Sequence, residues 1–234
     1  MDWVEAGLLR DFLFVVTAAF AVHVVAQTRR IVGTKTLFYF LLGRYNRPLV
    51  EERIFLLTDI VGSTAMAERL GDTRALELIS RFFFDISADI GRYDGETDNY
   101  IGDEVVVSWP LGTPAHNAGA LLCYLDIQRT IARTQHLYSE EYGESIAIRA
   151  GLHGGPVAVG ECGDEKRQVV FIGDTINTAK RLQEACKELG VSILVSGGLL
   201  DRTDVPAEVE TVPLGAIKLR GRSTETRIFT FKMK

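Results

Sequence analysis

Hydrophobic and polar positions along the chain form many short segments with strand-like spacing and three longer segments with helical spacing. The strand-like segments cover residues 53–58, 96–101, 104–109, 145–153, 157–162, 168–172, 192–196, 216–219 and 227–232. The helical segments cover residues 63–93, 114–142 and 175–189. Strands and helices interleaved in this way predict an α+β domain in which helices pack on a sheet.

The first helical segment carries an apolar stripe. Its members recur at intervals of three and four residues, which places them on one face of a helix. They are Leu76, Ile79, Phe83, Ile86 and Ile90. We expect this face to pack on the sheet.

Glycines are frequent between residues 151 and 163. They occupy positions 151, 154, 155, 160 and 163. Glycine often marks a turn, so we interpret this run as bracketing a hairpin. The run is not a phosphate-binding loop, because the Gly-Lys-Ser/Thr ending is missing.

The most apolar stretch lies within residues 8–30. Its uninterrupted run, residues 12–26, is shorter than the roughly 20 residues that span a bilayer, and apolar residues at 8 and 9 extend it. Four cations follow, at positions 29, 30, 35 and 44, which by the positive-inside rule places the remainder in the cytoplasm. We predict a membrane-anchor or transmembrane helix in residues 1–30 and a connector in residues 31–50. The alternative is an amphipathic or buried dimerisation helix.

Composition limits the classes of partner. The chain has 234 residues, 47% hydrophobic and 24% charged, which is enough for one substantial core and an additional N-terminal segment. Its net charge of -5 provides no basic surface for nucleic acid. We therefore expect no nucleic-acid partner.

Two aspartates are the strongest candidates for chemistry. Asp59 follows an apolar strand and precedes Gly62, and Asp103 follows Gly102 between two predicted strands. Either one alone is also explained as a turn former or a helix cap. On adjacent strand ends the two carboxylates would hold two Mg²⁺ ions, which lie roughly 3.5 to 4 Å apart in two-metal sites.

A third motif follows the strand at 168–172. Gly173 precedes Asp174, which we predict to be the N-cap of the last long helix. Asn177 and Arg181 follow with i,i+4 spacing, so an amide and a guanidinium point the same way. The alternative is an Asn that assists the cap and an Arg on a solvated face.

In this order the motifs resemble those of the class III nucleotidyl cyclases, the adenylate and guanylate cyclases, from about residue 51 to the C-terminus. The resemblance implies a catalytic domain at 51–234 with a ferredoxin-like α+β sandwich, preceded here by an N-terminal hydrophobic helix. It implies that Asp59, Asp103 and the backbone carbonyl of Ile60 bind two Mg²⁺ or Mn²⁺ ions per site. It also implies that Asn177 orients the ribose and that Arg181 meets charge on the α-phosphate.

Further residues are assigned to the phosphates. The N–H groups of Gly62, Ser63 and Thr64, at the start of a helix, are suited to phosphate oxygens. The resemblance places Arg149 near the phosphates as well. Arg220 falls where the family usually has a Lys for the terminal phosphate.

The two purine-reading positions depart from the family pattern. The family usually has a Lys four residues before the second metal aspartate and an Asp or Thr three residues before the Gly of the third motif. Here these positions are Asn99 and Val170. Asn99 offers amide donors and an acceptor to a purine edge, whereas Val170 offers only apolar contact. The alternative is that Asn99 is a hairpin residue and Val170 a core residue, so the choice between adenine and guanine stays open.

These observations predict an adenylate cyclase. The expected reaction converts ATP to 3',5'-cyclic AMP and pyrophosphate by attack of the ribose 3'-hydroxyl on the α-phosphate. The resemblance implies a homodimer in which the aspartates of one chain face the Asn and Arg of its partner. The alternatives are a guanylate cyclase and a nucleotide-sensing domain without turnover.

Overall fold

A computed structural model describes residues 3–32, 39, 42–165, 167–219 and 225–233. Its helices are α1 (Trp3–Val32), α2 (Ser63–Leu70), α3 (Asp72–Arg92), α4 (Pro114–Tyr142), α5 (Asp174–Leu189) and α6 (Gly197–Leu200). Its strands are β1 (Leu49–Ile60), β2 (Glu96–Ile101), β3 (Glu104–Pro110), β4 (Ile148–Cys162), β5 (Gln168–Ile172), β6 (Ile193–Ser196), β7 (Val209–Ile217) and β8 (Thr226–Met233).

The strands form one sheet with the order β2-β3-β1-β4-β6-β8-β7, and β5 pairs with β4. Strand β1 pairs antiparallel with both β3 and β4, while β4 pairs in parallel with β6. The chain order β1, helices, β2, β3, helix, β4 combined with the spatial order β2-β3-β1-β4 is the ferredoxin-like arrangement. The predicted α+β class is confirmed.

Helices cover both faces of the sheet. The main core packs α3 and α4 on one face and includes Leu56, Phe82 and Leu121. A smaller core, which includes Leu182 and Leu194, packs α5 on the other face. Successive residues of a strand point to opposite faces, so β6 contributes to both cores.

The segment predicted as one helix at 63–93 forms two helices. Gly71 lies between α2 and α3 with φ +78°, and its N–H donates to the Ala67 carbonyl at 2.8 Å. This left-handed backbone favours glycine and ends the first helix.

The apolar stripe of α3 is displaced from its predicted position. The buried residues of this helix are Ala75, Leu78, Phe82, Ile86, Asp89 and Ile90. Leu76 is instead 64% exposed, and Ile79 and Phe83 are only partly buried. Ile86 and Ile90 are buried as predicted, so the face toward the core is rotated from the predicted stripe by less than one residue step of 100°.

Strand β4 runs through the positions predicted as a hairpin. It is a single strand of 15 residues and pairs with β1 along most of its length. A Cβ atom on Gly154 would lie 2.8 Å from Leu111 Cδ1. Glycine in this strand therefore permits close packing, and the turn interpretation is wrong for the glycines at 151, 154, 155 and 160. Gly163 lies beyond the strand, in the connection to β5, with φ +97°.

The chain divides into two compact units, Met1–Pro48 with Gly160–Val169, and Leu49–Val159 with Val170–Lys234. In the first unit the Glu161 N–H donates to the Tyr45 carbonyl at 3.1 Å. The Tyr39 and Tyr45 rings meet edge-on there, with centroids 5.3 Å apart. Much of the connector predicted at 31–50 lies outside the described residues.

Helix α1 contains the apolar segment. Residues Arg10–Thr28 have a mean hydropathy of 1.6, and none of this segment is buried. By length and composition it is the one helix in the described part of the chain that is able to cross a membrane. The membrane anchor remains a prediction.

Candidate functional site

Two strand ends meet at one edge of the sheet and bring two carboxylates together. The β1–β3 register pairs Thr58 with Val105, so Asp59 and Asp103 lie on neighbouring strand ends. The Ile60 N–H donates to Asp103 Oδ2 at 3.2 Å, which joins the two ends directly. We call Asp59, Ile60 and Asp103 the metal edge.

Asp59 is a partly buried carboxylate with an incomplete set of partners. Its Oδ1 is enclosed by protein and has no hydrogen-bond partner among the described residues. Burial raises the pKa of Asp59 and the charge of Asp103 raises it further, whereas a hydrogen bond from Gln183 and the charges of Lys180 and Arg149 lower it. A divalent cation at this edge would favour the ionised form of Asp59, against its burial and the charge of Asp103.

The donor set fits a hard divalent cation. Mg²⁺ is usually held by one or two carboxylates and completes its shell with water and substrate phosphates. Within the described ranges, no group of three or more His, Cys, Asp or Glu side chains has the geometry of a metal site. The metal edge therefore fits an open site that a phosphate ligand helps to complete, rather than a closed protein cage.

Helix α2 begins three residues after Ile60 of the metal edge. Gly62 is its N-cap, with φ +75°, and Ser63 and Thr64 form its first turn. The first N–H groups of a helix have no intrahelical acceptor and lie at the positive end of the dipole. These three predicted phosphate ligands therefore occupy a helix start suited to anions.

Arg149 lies on β4, in register with Asp59 on β1. Its charge acts on the Asp59 carboxylate, so a cation belongs to the same edge of the sheet. Arg220, predicted for the terminal phosphate, lies outside the described residues.

Helix α5 begins at Asp174, and Gly173 is its N-cap, so the prediction that Asp174 caps the helix is wrong by one position. As an acidic residue of the first turn, Asp174 interacts favourably with the helix dipole. Asn177 is exposed. The Arg181 side chain is 27% exposed, and its Nη1 lies 3.8 Å from Asp174 Oδ1.

We call Asn177 and Arg181 the transition-state pair, after their predicted role. The structure describes this pair and both aspartates of the metal edge, and it records no hydrogen bond or ion pair between the two groups within one chain. Two other residues of α5, Lys180 and Gln183, act on Asp59 instead.

The two purine-reading positions lie on different strands. Asn99 is an exposed residue of β2, and its Oδ1 accepts a hydrogen bond from the Tyr100 N–H at 3.0 Å. Val170 is a partly buried residue of β5. Neither position carries a charge that would select a purine.

A buried ion-pair network adjoins Asn99. The Arg53 side chain is only 2% exposed and donates to Glu96 Oε2 and, at 2.7 Å, to Ser108 Oγ. Asp98 lies in a β-bulge of the same strand, and its Oδ2 is enclosed without a hydrogen-bond partner. Burial raises the pKa of Asp98 to about 7, although a hydrogen bond with Ser108 and the charge of Arg53 both lower it. The charge of Arg53 is shared with its other carboxylate partners, so it does not offset the loss of water around Asp98.

We expect Asp98 to make the free energy of unfolding fall with rising pH between 3.8 and about 7. In this window the folded chain keeps a proton that the unfolded chain releases, so the slope reaches at most ~1.4 kcal/mol per pH unit. Asp98→Asn should remove this contribution in urea denaturation across the window. Asp201→Asn, at an exposed ion pair, should retain it, and equal slopes in the two variants would contradict the expectation.

Two charged residues beside the metal edge were not predicted. Lys180 Nζ donates to Glu104 Oε2, and the Glu104 side chain is 8% exposed. Glu104 directly follows Asp103 and Lys180 directly precedes Arg181, so each adjoins a predicted residue. They are 76 positions apart in the chain, and no local spacing indicates that they meet.

Comparison with known proteins indicates one family. The family model described as the adenylate and guanylate cyclase catalytic domain matches residues 50–233. Adenylate cyclase 2 of Rhizobium meliloti (strain 1021) is 35% identical over 206 residues, which are 88% of this chain and 57% of that protein. Guanylyl cyclase C of Rattus norvegicus is 28% identical over 192 residues, which are 80% of this chain and 17% of that protein. The chain thus spans a little over half of the first relative and a small part of the second.

A solved structure supports the fold. The crystal structure of the adenylyl cyclase CyaB from P. aeruginosa matches with a TM-score of 0.71 and 21% sequence identity. The match covers 80% of this chain and 97% of that one. At this identity the likeness concerns the fold of the domain.

Proposed function

Because the chain belongs to the adenylate and guanylate cyclase catalytic domain family, we propose that it converts ATP to 3',5'-cyclic AMP and pyrophosphate. The observation that carries the proposal is the edge at which Asp59 and Asp103 meet beside Arg149. In this reaction the ribose 3'-oxygen forms a bond to the α-phosphorus of its own nucleotide, the bond to pyrophosphate breaks, and the hydroxyl proton is released. The reaction needs no nucleophile from the protein.

The metal edge and its surroundings would bind the triphosphate. Two Mg²⁺ or Mn²⁺ ions held by Asp59, Asp103 and the Ile60 carbonyl would favour loss of the hydroxyl proton and neutralise phosphate charge. Arg149 contributes a further cation at this edge. The N–H groups at the start of α2 would donate hydrogen bonds to phosphate oxygens.

The transition-state pair would come from a partner chain. In its own chain Arg181 lies 3.8 Å from Asp174, and no ion pair with the metal edge is recorded among the described residues. This supports a two-fold homodimer in which each centre is completed by the pair of the other chain. Asn177 would orient the ribose, and Arg181 would stabilise negative charge that develops on the α-phosphate. Such a dimer has two equivalent centres.

A guanylate cyclase is the second candidate. Asn99 and Val170 lack the charged or hydroxyl groups that the family usually has at these positions, and a guanylyl cyclase is among the relatives. The greater identity to an adenylate cyclase supports ATP as the preferred substrate.

The N-terminal helix would anchor the enzyme in a membrane, with the catalytic domain in the cytoplasm. The exposed apolar segment Arg10–Thr28 supports an anchor, and the cations that follow it support the orientation.

The test is a cyclase assay on membrane and soluble fractions of cells that express the full chain. With Mg²⁺ or Mn²⁺, we expect cyclic AMP formation in the membrane fraction after an alkaline wash, with kcat/KM for ATP roughly tenfold or more above that for GTP. Mass spectrometry identifies each cyclic product.

Asp103→Ala is the negative control for this assay, because it removes one metal ligand. A folded wild-type dimer that forms neither cyclic nucleotide would reject the cyclase proposal. A preference for GTP would favour the second candidate, and activity in the soluble fraction would reject the anchor.

A further inference from the structure

Helix α5 contacts the metal edge on one side and carries the transition-state pair on another. Lys180 Nζ donates a hydrogen bond to Glu104 Oε2, and Lys180 and Gln183 both act on the Asp59 carboxylate. At 100° per residue, the transition-state pair lies on a face roughly 100° away from these two side chains. A single rigid element therefore links two sets of catalytic residues.

Glu104, the partner of Lys180, lies close enough to the metal edge for the charges of both aspartates to act on it. The β1–β3 register pairs Thr58 with Val105, so Glu104 lies one position further, toward Asp59, and directly after Asp103. Burial raises the pKa of Glu104, the Lys180 partner lowers it, and both aspartates raise it. Three carboxylates meet here, and Lys180 pairs with the one that is not assigned to metal.

The backbone of α5 is seated directly on the sheet next to Lys180. A Cβ atom on Gly151 of β4 would lie 2.1 Å from the Ala179 carbonyl oxygen. This close approach leaves little room for the helix to adjust locally. A displacement of Lys180 would therefore move the neighbouring residues of the same turn with it, including the transition-state pair.

We propose that Lys180 and Glu104 form a positioning pair that couples cation binding at the metal edge to the placement of α5. Without a cation, the Lys180 ammonium is attracted by both Glu104 and Asp59. With Asp59 occupied by a cation, Lys180 is repelled from that carboxylate and pairs with Glu104 alone. Because Lys180 then has a single partner, α5 is held in one position, and its backbone hydrogen bonds open less often.

The coupling has a consequence for the dimer, and here it rests on the proposed function. In a homodimer with shared centres, α5 contacts the metal edge of one centre and supplies the transition-state pair of the other. Cation binding at one centre would thus prepare the second centre for reaction.

Hydrogen exchange with Mn²⁺ alone, without nucleotide, tests the coupling in the full chain. In the wild-type protein, Mn²⁺ should slow amide exchange across α5 by about fivefold or more. Lys180→Met should abolish this slowing while Mn²⁺ affinity, measured by titration, stays within about threefold. Lys180→Arg keeps the charge and should retain the slowing.

Arg69→Met is the matched control, because it removes a cation from an ion pair with Glu144 away from the metal edge. It should behave like the wild type. If Lys180→Met does not fold, Glu104→Gln breaks the same pair and gives the same readout.

The proposal is overturned if the wild type shows no Mn²⁺-dependent protection of α5, or if the variants without the ion pair keep that protection in full. Because no nucleotide is present, a protein without cyclase activity would reject the proposed function and leave the exchange result intact.

Discussion

Chains with Asp59→Ala and chains with Arg181→Ala are each expected to be inactive alone and to recover activity together. In either homodimer both centres lack a catalytic residue. Loss of a cation that stabilises negative charge on the phosphoryl group lowers kcat roughly 10³-fold or more. In a mixed dimer, one centre combines the intact aspartates of one chain with the intact Arg181 of the other. Random pairing of equal amounts yields about half heterodimers, each with one working centre, and hence about a quarter of wild-type activity. Cyclic AMP production by co-expressed chains measures the recovery.

The matched control co-expresses Asp59→Ala with Asp103→Ala. Both defects fall in the same half of the centre, so no intact centre forms and activity should not return. If the first mixture stays inactive although heterodimers form, the two halves of the centre do not come from different chains. Recovery in the control would instead show that Asp59 and Asp103 of one centre come from different chains, which would contradict the metal edge.

Gly151→Ala is expected to destabilise the protein and to lower its activity. The added Cβ would lie 2.1 Å from the Ala179 oxygen and 2.5 Å from the Gln183 nitrogen, both backbone atoms of α5. Backbone cannot rotate out of the way, so the helix must move. We expect a loss of about 3 kcal/mol in the free energy of unfolding. Displacement of the transition-state pair should also reduce kcat by about 100-fold.

Urea denaturation and steady-state cyclase kinetics check this prediction, with Gly119→Ala as the control. In α4, the nearest atoms to a Cβ on Gly119 are 3.8 Å away, which is ordinary contact. Alanine is favoured over glycine inside a helix by about 1 kcal/mol, so the control should be at least as stable as the wild type. Wild-type stability and kcat in the Gly151→Ala variant would show that α5 is not seated as described.

The sequence predicted most element types and the strands that carry the metal edge. Each aspartate lies at the junction of an apolar strand and a glycine-containing turn, and the structure has β1 end at Ile60 and a turn at Asp103. The errors occurred where packing overrides local preference. Gly154 was interpreted as part of a turn, although it lies inside β4 because Leu111 packs against it.

Other parts of the candidate site had no local signal. The orientation of α3 was misjudged because Leu76 and Leu78 are equally apolar, and only the sheet beneath decides which is buried. Asp98 was not identified, because its raised pKa depends on enclosure that the surrounding residues in the sequence do not indicate.

By itself, the sequence determined the type of domain, since hydrophobic spacing follows from local chain geometry. The resemblance of its motifs to those of the cyclases indicated the candidate catalytic residues. Only the tertiary structure decided which of these side chains meet. It brings Asp59, Asp103 and Arg149 to one edge, and it pairs Lys180 with Glu104 across 76 positions of the chain. The physical reason is that contacts between distant residues depend on strand order and register, which no short stretch of sequence specifies.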